Sequence, residues 1–483
     1  MLFNSLSFLV FLPIVVLVYY LIPHKIRWLW LLGASCYFYM AFVPKYILIL
    51  FFLISLDYAL GILLEREMND KKRRLYLVFS IISNIGLLFI FKYFNFWSEN
   101  LSGLALAFGW NYSLGTLHLL LPLGLSFHTF QSLSYIIDVY RKVEKAEKHF
   151  GVYALFVLFF PQLVAGPIER AGHMLHQFYE NHIFDLLNIL NGIKFITFGF
   201  FLKIVVADRA SLIVDAFYKN PSNFSGPATI LALILFAFQL YGDFAGYTLI
   251  AIGSAKMLGF ELIPNFRRPY FAKSIAEFWQ RWHISLSSWF RDYVYQPIVL
   301  NRQRISARSI YTAIIITFLL SGLWHGAGWT FILMGLFYGS LIVIGLATKR
   351  LRQKIVEAIG LAKLPRLHQT IQTIITFSLV CIGWLFFRAG NITIVGQILK
   401  QLFTGWGSFQ NFSFGYENTE IIVTLVFIAL LILFELLQEK DLQFIEEKIV
   451  PNLYMQGFIF TFLVLSIIIF GQFHEKVFIY FQF

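Results

Sequence analysis

Long apolar runs, many of them about the length of a membrane-crossing helix, follow one another along most of the chain. A helix needs about 20 mostly apolar residues to cross the hydrocarbon core of a bilayer. The runs that approach or reach this length are 6-22, 28-43, 46-64, 75-93, 117-140, 186-206, 227-253, 310-323, 328-347, 368-387, 419-437 and 456-474. Since several are short or interrupted, the pattern predicts about 11 to 13 membrane segments, some of them tilted or re-entrant.

The apolar runs are continuous, which favours helices over strands. A membrane β-barrel would instead show segments of about 10 residues with alternating hydrophobicity. We therefore predict an all-α, polytopic integral membrane protein without a soluble domain. The first run, Leu6 to Ile22, lacks a basic flank and a small-residue cleavage site, so we expect it to remain as the first span.

Composition supports lipid as the solvent of this chain. Of its 483 residues, 59% are hydrophobic and 13% are charged, roughly half the ~25% charged residues of average globular domains. The net charge of +12 would suggest nucleic acid in a soluble protein. In a membrane protein such charge marks cytoplasmic loops instead, so we expect no nucleic-acid partner.

Basic residues cluster between the apolar runs and indicate an orientation. The basic stretches are 24-27, 66-74, 141-149, 301-308 and 348-354. Placing all five in the cytoplasm lets the first five spans alternate consistently. The N-terminus is then predicted to lie outside.

Polar residues concentrate in the stretch "FWQRWHISLSSWFRDY", Phe278 to Tyr293. Treated as one helix, it carries two polar stripes, because residues four apart share a face. One stripe is Trp279, His283, Ser287 and Arg291; the other is Arg281, Ser285, Ser288 and Asp292. Two interpretations stay open: an interfacial helix anchored by its tryptophans, or the wall of a cavity, since ionisable groups at membrane depth are usually functional.

A second histidine lies in "LLSGLWHGAGWT", Leu319 to Thr330, between two apolar runs that we expect to form a hairpin. From Tyr311 to His325 a helix rises about 21 Å, less than the ~30 Å hydrocarbon core. His325 should therefore lie within the membrane thickness, among glycines that permit close backbone approach. A lone histidine of this kind is otherwise most often a packing residue.

Other polar groups in apolar surroundings favour structural roles. His128, Gln131 and Asp138 lie in Leu121 to Arg141, and Asp243 lies in Tyr241 to Gly253, either as the partner of an arginine or as part of a polar tunnel. The stretch Phe159 to Arg170 is broken by prolines and a glycine, as a re-entrant loop would be. Cys36 and Cys381 are far apart inside apolar runs, so we expect neither a disulfide nor a metal site.

These motifs together resemble the membrane-bound O-acyltransferase family, and within it the bacterial alginate O-acetyltransferase branch. The matching stretches run in family order from about residue 121 to the C-terminus: "LPLGLSFHTFQSLSYIIDVYR", "FPQLVAGPIER", "YGDFAGYTLIAIGSAKMLGFELIPNFRRPY", "SIAEFWQRWHISLSSWFRDYVYQPI", "SGLWHGAGWTFILMGLFYG", "GWLFFRA" and "FIYFQF". The pair "RWHISLSSWFRDY" and "LWHG" is the most specific. Two departures are "PIVLNRQR" (Pro297 to Arg304), where relatives often carry glycines, and His128, where an aromatic residue is common.

The resemblance implies one membrane domain over 1-483 around a central tunnel or funnel, with N-terminal spans in 1-116, a catalytic core in 117-347 and C-terminal spans in 348-483. It implies acetyl transfer from cytoplasmic acetyl-CoA, used as a substrate with no bound cofactor, to an extracytoplasmic polysaccharide such as alginate, directly or through a periplasmic partner protein. The resemblance further implies that the protein is located in a bacterial inner membrane. Alternatives are D-alanyl transfer from a carrier protein to teichoic acid, and a transporter or flippase without chemistry.

The resemblance also assigns roles to residues. The family histidine corresponds to His325, expected as the general base because neutral imidazole titrates near neutral pH. His283 is expected to orient the thioester carbonyl or stabilise the oxyanion. Arg281 and Arg291 would contact donor phosphates or lipid headgroups. Further candidates for substrate binding are Trp279, Ser287, Asp292, Trp324, Asp243 and Gln131.

Overall fold

Every regular element in the part of the chain that the structure describes is helical. The structure, a computed structural model, describes residues 1–110, 112, 115–117, 119, 122, 124–163, 166–300, 305–404, 406, 414–440, 452–473, 476 and 478–481. Parts of three predicted stretches lie outside these residues: the start of the span 117-140, the first half of the basic stretch 301-308 and the end of "FIYFQF". The predicted all-α class is confirmed.

The α-helices are numbered in chain order. They are α1 Leu6–Leu21, α2 His24–Met40, α3 Ile47–Arg66, α4 Asp70–Leu88, α5 Phe94–Ala107, α6 Leu125–Tyr140, α7 Phe150–Leu158, α8 Phe160–Leu163, α9 Ala171–Met174, α10 Leu186–Phe200, α11 Asp208–Lys219, α12 Gly226–Met257, α13 Ile275–Arg281, α14 Ile284–Phe290, α15 Gln296–Leu300, α16 Ala307–His325, α17 Trp329–Ala347, α18 Lys349–Ala358, α19 Pro365–Arg388, α20 Ile392–Phe403, α21 Asn418–Lys440 and α22 Leu453–Phe470. Wider π-helical turns, Phe89–Tyr93 and Phe201–Ala207, join α4 to α5 and α10 to α11.

Nine helical stretches among the described residues are long and apolar enough to cross a membrane. They match nine of the twelve predicted runs. The other three runs overlap α1, α2 and α6, which have 16, 17 and 16 residues. The protein is therefore a multi-pass membrane protein, as predicted; the re-entrant segments and the tunnel remain predictions.

The chain forms two compact units. Unit 1 comprises Met1–Ile196 and Ile250–Ile263, and unit 2 comprises Thr197–Leu249 and Pro264–Phe483. In unit 1, α3 packs against α4, α6 and α7. Unit 2 contains both histidine motifs and the hairpin of α16 and α17.

Glycines bring α16 and α17 into backbone contact in unit 2. A Cβ atom added to Gly322 would lie 2.3 Å from the Phe331 carbonyl oxygen, and one added to Gly335 would lie 2.3 Å from that of Phe318. No side chain larger than hydrogen fits at such distances. This close approach forms the predicted hairpin and fixes the end of α16, where His325 lies.

The prediction of one helix over Phe278 to Tyr293 is wrong. Helix α13 ends at Arg281, Trp282 is extended, and His283 adopts a left-handed conformation (φ 45°) before α14 begins. The continuous stripes predicted on this segment are therefore interrupted. The break lets Trp282 leave the helix and pack, fully buried, with its ring centre 4.9 Å from that of Trp384 and 5.0 Å from that of Phe266.

Replacing Gly335 by alanine should destabilise the α16–α17 hairpin. The added methyl group overlaps backbone atoms, and overpacking of this kind typically costs about 1–3 kcal/mol. We expect a lower midpoint of thermal unfolding in detergent. Gly345→Ala is the matched control, because the nearest heavy atom to its added Cβ is a side-chain nitrogen of Arg352 at 3.9 Å. Equal midpoints for the two variants would contradict the proposed close approach.

Candidate active site

His325 is the last residue of α16 and is buried, with 3% of its surface exposed. Aromatic rings surround it: the ring centre of Trp324 lies 4.8 Å away, and those of Phe387 and Tyr480 lie 5.6 Å away. The extended residue Gly326 follows, and a Cβ there would overlap the Phe331 ring at 2.1 Å. The hairpin thus holds the imidazole in a mostly apolar enclosure.

His283 is fully buried, at the break between α13 and α14. A left-handed conformation is strained for a residue other than glycine, and such strain often marks functional positions. Burial lowers the pKa of His283 to about 3. Its imidazole is therefore neutral at physiological pH, able to donate or accept a hydrogen bond but carrying no charge.

Asn265 stabilises the break at His283. Its backbone carbonyl accepts a hydrogen bond from the Ile284 N–H at 2.9 Å, and its side-chain oxygen accepts one from the Ser285 hydroxyl at 2.7 Å. The same side-chain oxygen lies 3.4 Å from His283 Nδ1. These contacts satisfy donors at the start of α14 that would otherwise be orphaned. Nothing in the local sequence around Asn265 indicates this role.

The two histidines share aromatic neighbours. The Trp324 ring lies 5.9 Å from that of His283 and 4.8 Å from that of His325, measured between ring centres. Tyr480, from the C-terminal segment, lies 6.5 Å from His283 and 5.6 Å from His325. The structure therefore brings both predicted histidines into one aromatic enclosure, which also includes Tyr480.

A buried ion-pair network holds the C-terminal segment beside this enclosure. Lys203 Nζ lies 2.6 Å from an oxygen of Asp243 and 2.8 Å from one of Asp208. The other Asp243 oxygen accepts a hydrogen bond from the Ile479 N–H at 2.7 Å. The charged partner of Asp243 is thus Lys203 and not an arginine. Lys203 was not among the predicted site residues, although a lysine inside the apolar run 186-206 is a sequence signal for such a network.

A cleft of about 260 Å³ lies beside α16 in unit 2. Trp279, Ser287 and Arg291 line one side of it despite the break in the helix. Thr317 and Ser321 line the other side. Thr317, Ser321 and His325 are spaced four residues apart, so the face of α16 that borders the cleft also carries His325.

The remaining predicted residues have other neighbours. Arg281 pairs with Glu277 at 2.7 Å and Glu439 at 2.9 Å, so it would have to exchange partners to bind a phosphate. Asp292 pairs with Arg291 at 2.8 Å near the protein surface. Gln131 is buried in α6, in unit 1, where its backbone carbonyl accepts a hydrogen bond from the Ser134 hydroxyl at 2.8 Å.

The fold defines a membrane-embedded protein with a buried histidine pair and an adjoining cleft, a combination suited to chemistry within the bilayer. A model of the membrane-bound O-acyltransferase family matches residues 149–388, which contain both histidine motifs. The chain belongs to the membrane-bound O-acyltransferase family. It is an O-acyltransferase.

Curated relatives align over most of the chain. It is 36% identical to the probable alginate O-acetylase AlgI of Pseudomonas aeruginosa over 413 residues, 85% of this chain and 76% of that protein. It is 33% identical to the peptidoglycan O-acetyltransferase of Helicobacter pylori over 436 residues, 83% of this chain and 79% of that protein. A teichoic acid D-alanyltransferase of Streptococcus thermophilus is 34% identical over 289 residues, 56% of this chain and 69% of that protein.

Replacing Lys203 by methionine should destabilise unit 2 and release its C-terminal segment. The variant leaves Asp208 and Asp243 buried without this cation, and removing one partner of a buried ion pair typically costs about 3–5 kcal/mol. We expect a lower thermal midpoint and faster proteolysis after residue 471 than in Lys219→Met, which removes an exposed lysine. Adding Asp243→Asn should recover part of the loss. If Lys203→Met and Lys219→Met are equally stable, the network does not support the segment.

Proposed function

We propose that this chain transfers an acetyl group from cytoplasmic acetyl-CoA toward a hydroxyl of an extracytoplasmic polysaccharide, alginate-like or another cell-surface glycan. An extracytoplasmic partner protein would complete the transfer in this scheme. The names of the relatives support acetyl as the group, because the O-acetylases and the O-acetyltransferase align over more of the chain than the D-alanyltransferase does.

The observation that carries the proposal is the shared face of α16. A donor lying in the cleft along Thr317 and Ser321 would direct its thioester toward His325, one helical turn beyond Ser321, about 6 Å along the axis. The cleft volume of about 260 Å³ is near the lower end of the ~300–1,000 Å³ typical of ligand pockets. It suits the narrow thioester arm of the donor better than the whole nucleotide.

The chemistry follows from a neutral imidazole in an apolar enclosure. His325 accepts the proton of the attacking hydroxyl while the hydroxyl oxygen attacks the thioester carbonyl. The carbon–sulfur bond then breaks, the thiol leaves with the proton, and the acyl group stays on the oxygen as an ester. Neutral His283 is suited to donating a hydrogen bond to the oxyanion. Trp279 is a further candidate for substrate binding, since its side chain lines the cleft.

D-alanyl transfer from a carrier protein is the second candidate. It rests on the similarity to the D-alanyltransferase. The two candidates differ in their donor: acetyl-CoA presents its thioester arm on a nucleotide, whereas a carrier protein would dock on the cytoplasmic face. Release of free thiol from acetyl-CoA by the purified protein, absent with a D-alanyl carrier protein, would favour acetyl transfer.

His325→Ala should fold but lose transfer. Removing a general base typically slows a reaction about 10²–10⁴-fold. The measurement is thiol release from acetyl-CoA by purified protein, with the thermal midpoint as the test of folding. His128→Ala is the matched control, because His128 is also buried, 1% exposed, but lies in unit 1. A folded His325→Ala variant with wild-type turnover would refute the assignment.

We further propose a bacterial inner-membrane location with the N-terminus outside. Single cysteines replacing Lys145 and Arg350 should then resist an impermeant maleimide added to intact cells, whereas one replacing Lys45 should react. All three positions are exposed. Cys36 and Cys381 would first be replaced by alanine to remove background labelling. Labelling of positions 145 and 350 from outside would reverse the orientation.

A further inference from the structure

A single carboxylate lies buried halfway along a membrane span in unit 1, away from the histidine motifs in sequence. Asp57 is the eleventh residue of α3 and is fully buried. Among the described residues, no lysine, arginine or histidine forms a salt bridge with it. A lone ionised carboxylate at this depth is strongly unfavourable.

Neutral polar groups from neighbouring helices converge on Asp57. The Ser80 hydroxyl donates a hydrogen bond to its Oδ1 at 2.6 Å. The Asn84 amide donates to Oδ1 at 3.1 Å and to Oδ2 at 2.9 Å. Both carboxylate oxygens therefore accept hydrogen bonds, as an ionised group does. These donors stabilise the charge locally but do not neutralise it.

Further oxygens nearby are buried and make no hydrogen bond of ordinary geometry. The Ser132 hydroxyl of α6 interacts with the Asp57 carboxylate and with the Tyr153 hydroxyl of α7. Neither hydroxyl oxygen makes a hydrogen bond of ordinary geometry, and the same holds for Oδ1 of Asn84. Ser132, Tyr153 and Asn84 are each fully buried. Unsatisfied buried oxygens are costly and require an explanation such as an unseen water or ion.

We propose that Asp57, Ser80, Ser132 and Tyr153 form a binding site for a monovalent metal cation of the size of Na⁺. The donor set is all oxygen, which suits hard cations. It supplies one negative charge, so a monovalent ion gives a neutral site, whereas a divalent ion would leave an excess positive charge in the membrane. The cation provides the neutralisation that the described side chains do not.

The test is thermal unfolding of the purified full-length protein in detergent. The midpoint is measured in NaCl, KCl and choline chloride at one ionic strength and at several pH values. A cation that binds only the folded state raises the midpoint in a saturable way. We expect a rise of several degrees in NaCl over choline chloride. Binding of radioactive sodium to the same preparation gives a direct count of about one ion per chain.

Variants connect the shift to the site. Asp57→Asn should abolish both the sodium-dependent shift and sodium binding, and Ser132→Ala should weaken them while leaving the protein folded. Glu169→Gln is the matched control in unit 1. Glu169 is also a fully buried carboxylate, but it already contacts His173 Nδ1 at 2.8 Å and the Ile263 N–H at 2.7 Å. Its replacement should leave the sodium-dependent shift unchanged.

Asn84→Asp provides a test by gain of function. The new carboxylate would lie beside that of Asp57, where the Asn84 amide nitrogen is now 2.9 Å from Oδ2. Two negative charges balance a divalent ion, so this variant should be stabilised by CaCl₂ at concentrations that have no effect on the wild-type chain.

Two results would overturn the proposal. One is a wild-type midpoint and radioactive binding that do not respond to sodium. The other is a midpoint that depends on pH but not on sodium, with Asp57→Asn removing the pH dependence, which would mean that a proton neutralises Asp57.

Discussion

Charge among the spans of this protein must be neutralised inside the protein, because lipid cannot do so. In unit 2, Lys203 meets this requirement with two carboxylates, Asp208 and Asp243, at 2.8 and 2.6 Å. The arrangement then has a second use, since Asp243 also fixes the backbone of Ile479. The ion pairs that neutralise Lys203 therefore also position the C-terminal segment beside the two histidines.

Apolar packing sets the positions of the histidines, and polar contacts set their orientation. Glycines 322 and 335 allow α16 and α17 to touch, which fixes where His325 lies. At His283 the helix is interrupted, and Trp282 packs into an aromatic core. Asn265 accepts hydrogen bonds from the backbone N–H and the hydroxyl of Ser285, at the start of the next helix. Both imidazoles end in buried, mostly aromatic surroundings, and burial lowers the pKa of His283, which favours its neutral form.

The spans were predictable from the sequence because each is a local feature. Nine of the predicted apolar runs match long helices, and the hairpin that carries His325 matches as well. The break at His283 was not predictable, since its support comes from Asn265, 18 residues upstream, and no glycine or proline marks it. Lys203 and Asp57 are visible in the sequence as charged residues inside apolar runs, but Asp243 and the groups that donate to Asp57 lie on other helices. A pattern of hydrophobic residues does not indicate which distant side chains pair with one another.

The π-helical turn Phe201–Ala207 contains Lys203. Such a turn holds one residue more than an α-helix accommodates over the same rise, and it is commonly found at functional sites. Losing one residue anywhere in this turn would restore regular α-helix and rotate the lysine by about 100° relative to one flank. For residues of this turn other than Lys203, a substitution is therefore a milder change than the deletion of one codon. We expect the length of this segment to vary less among related genes than its composition.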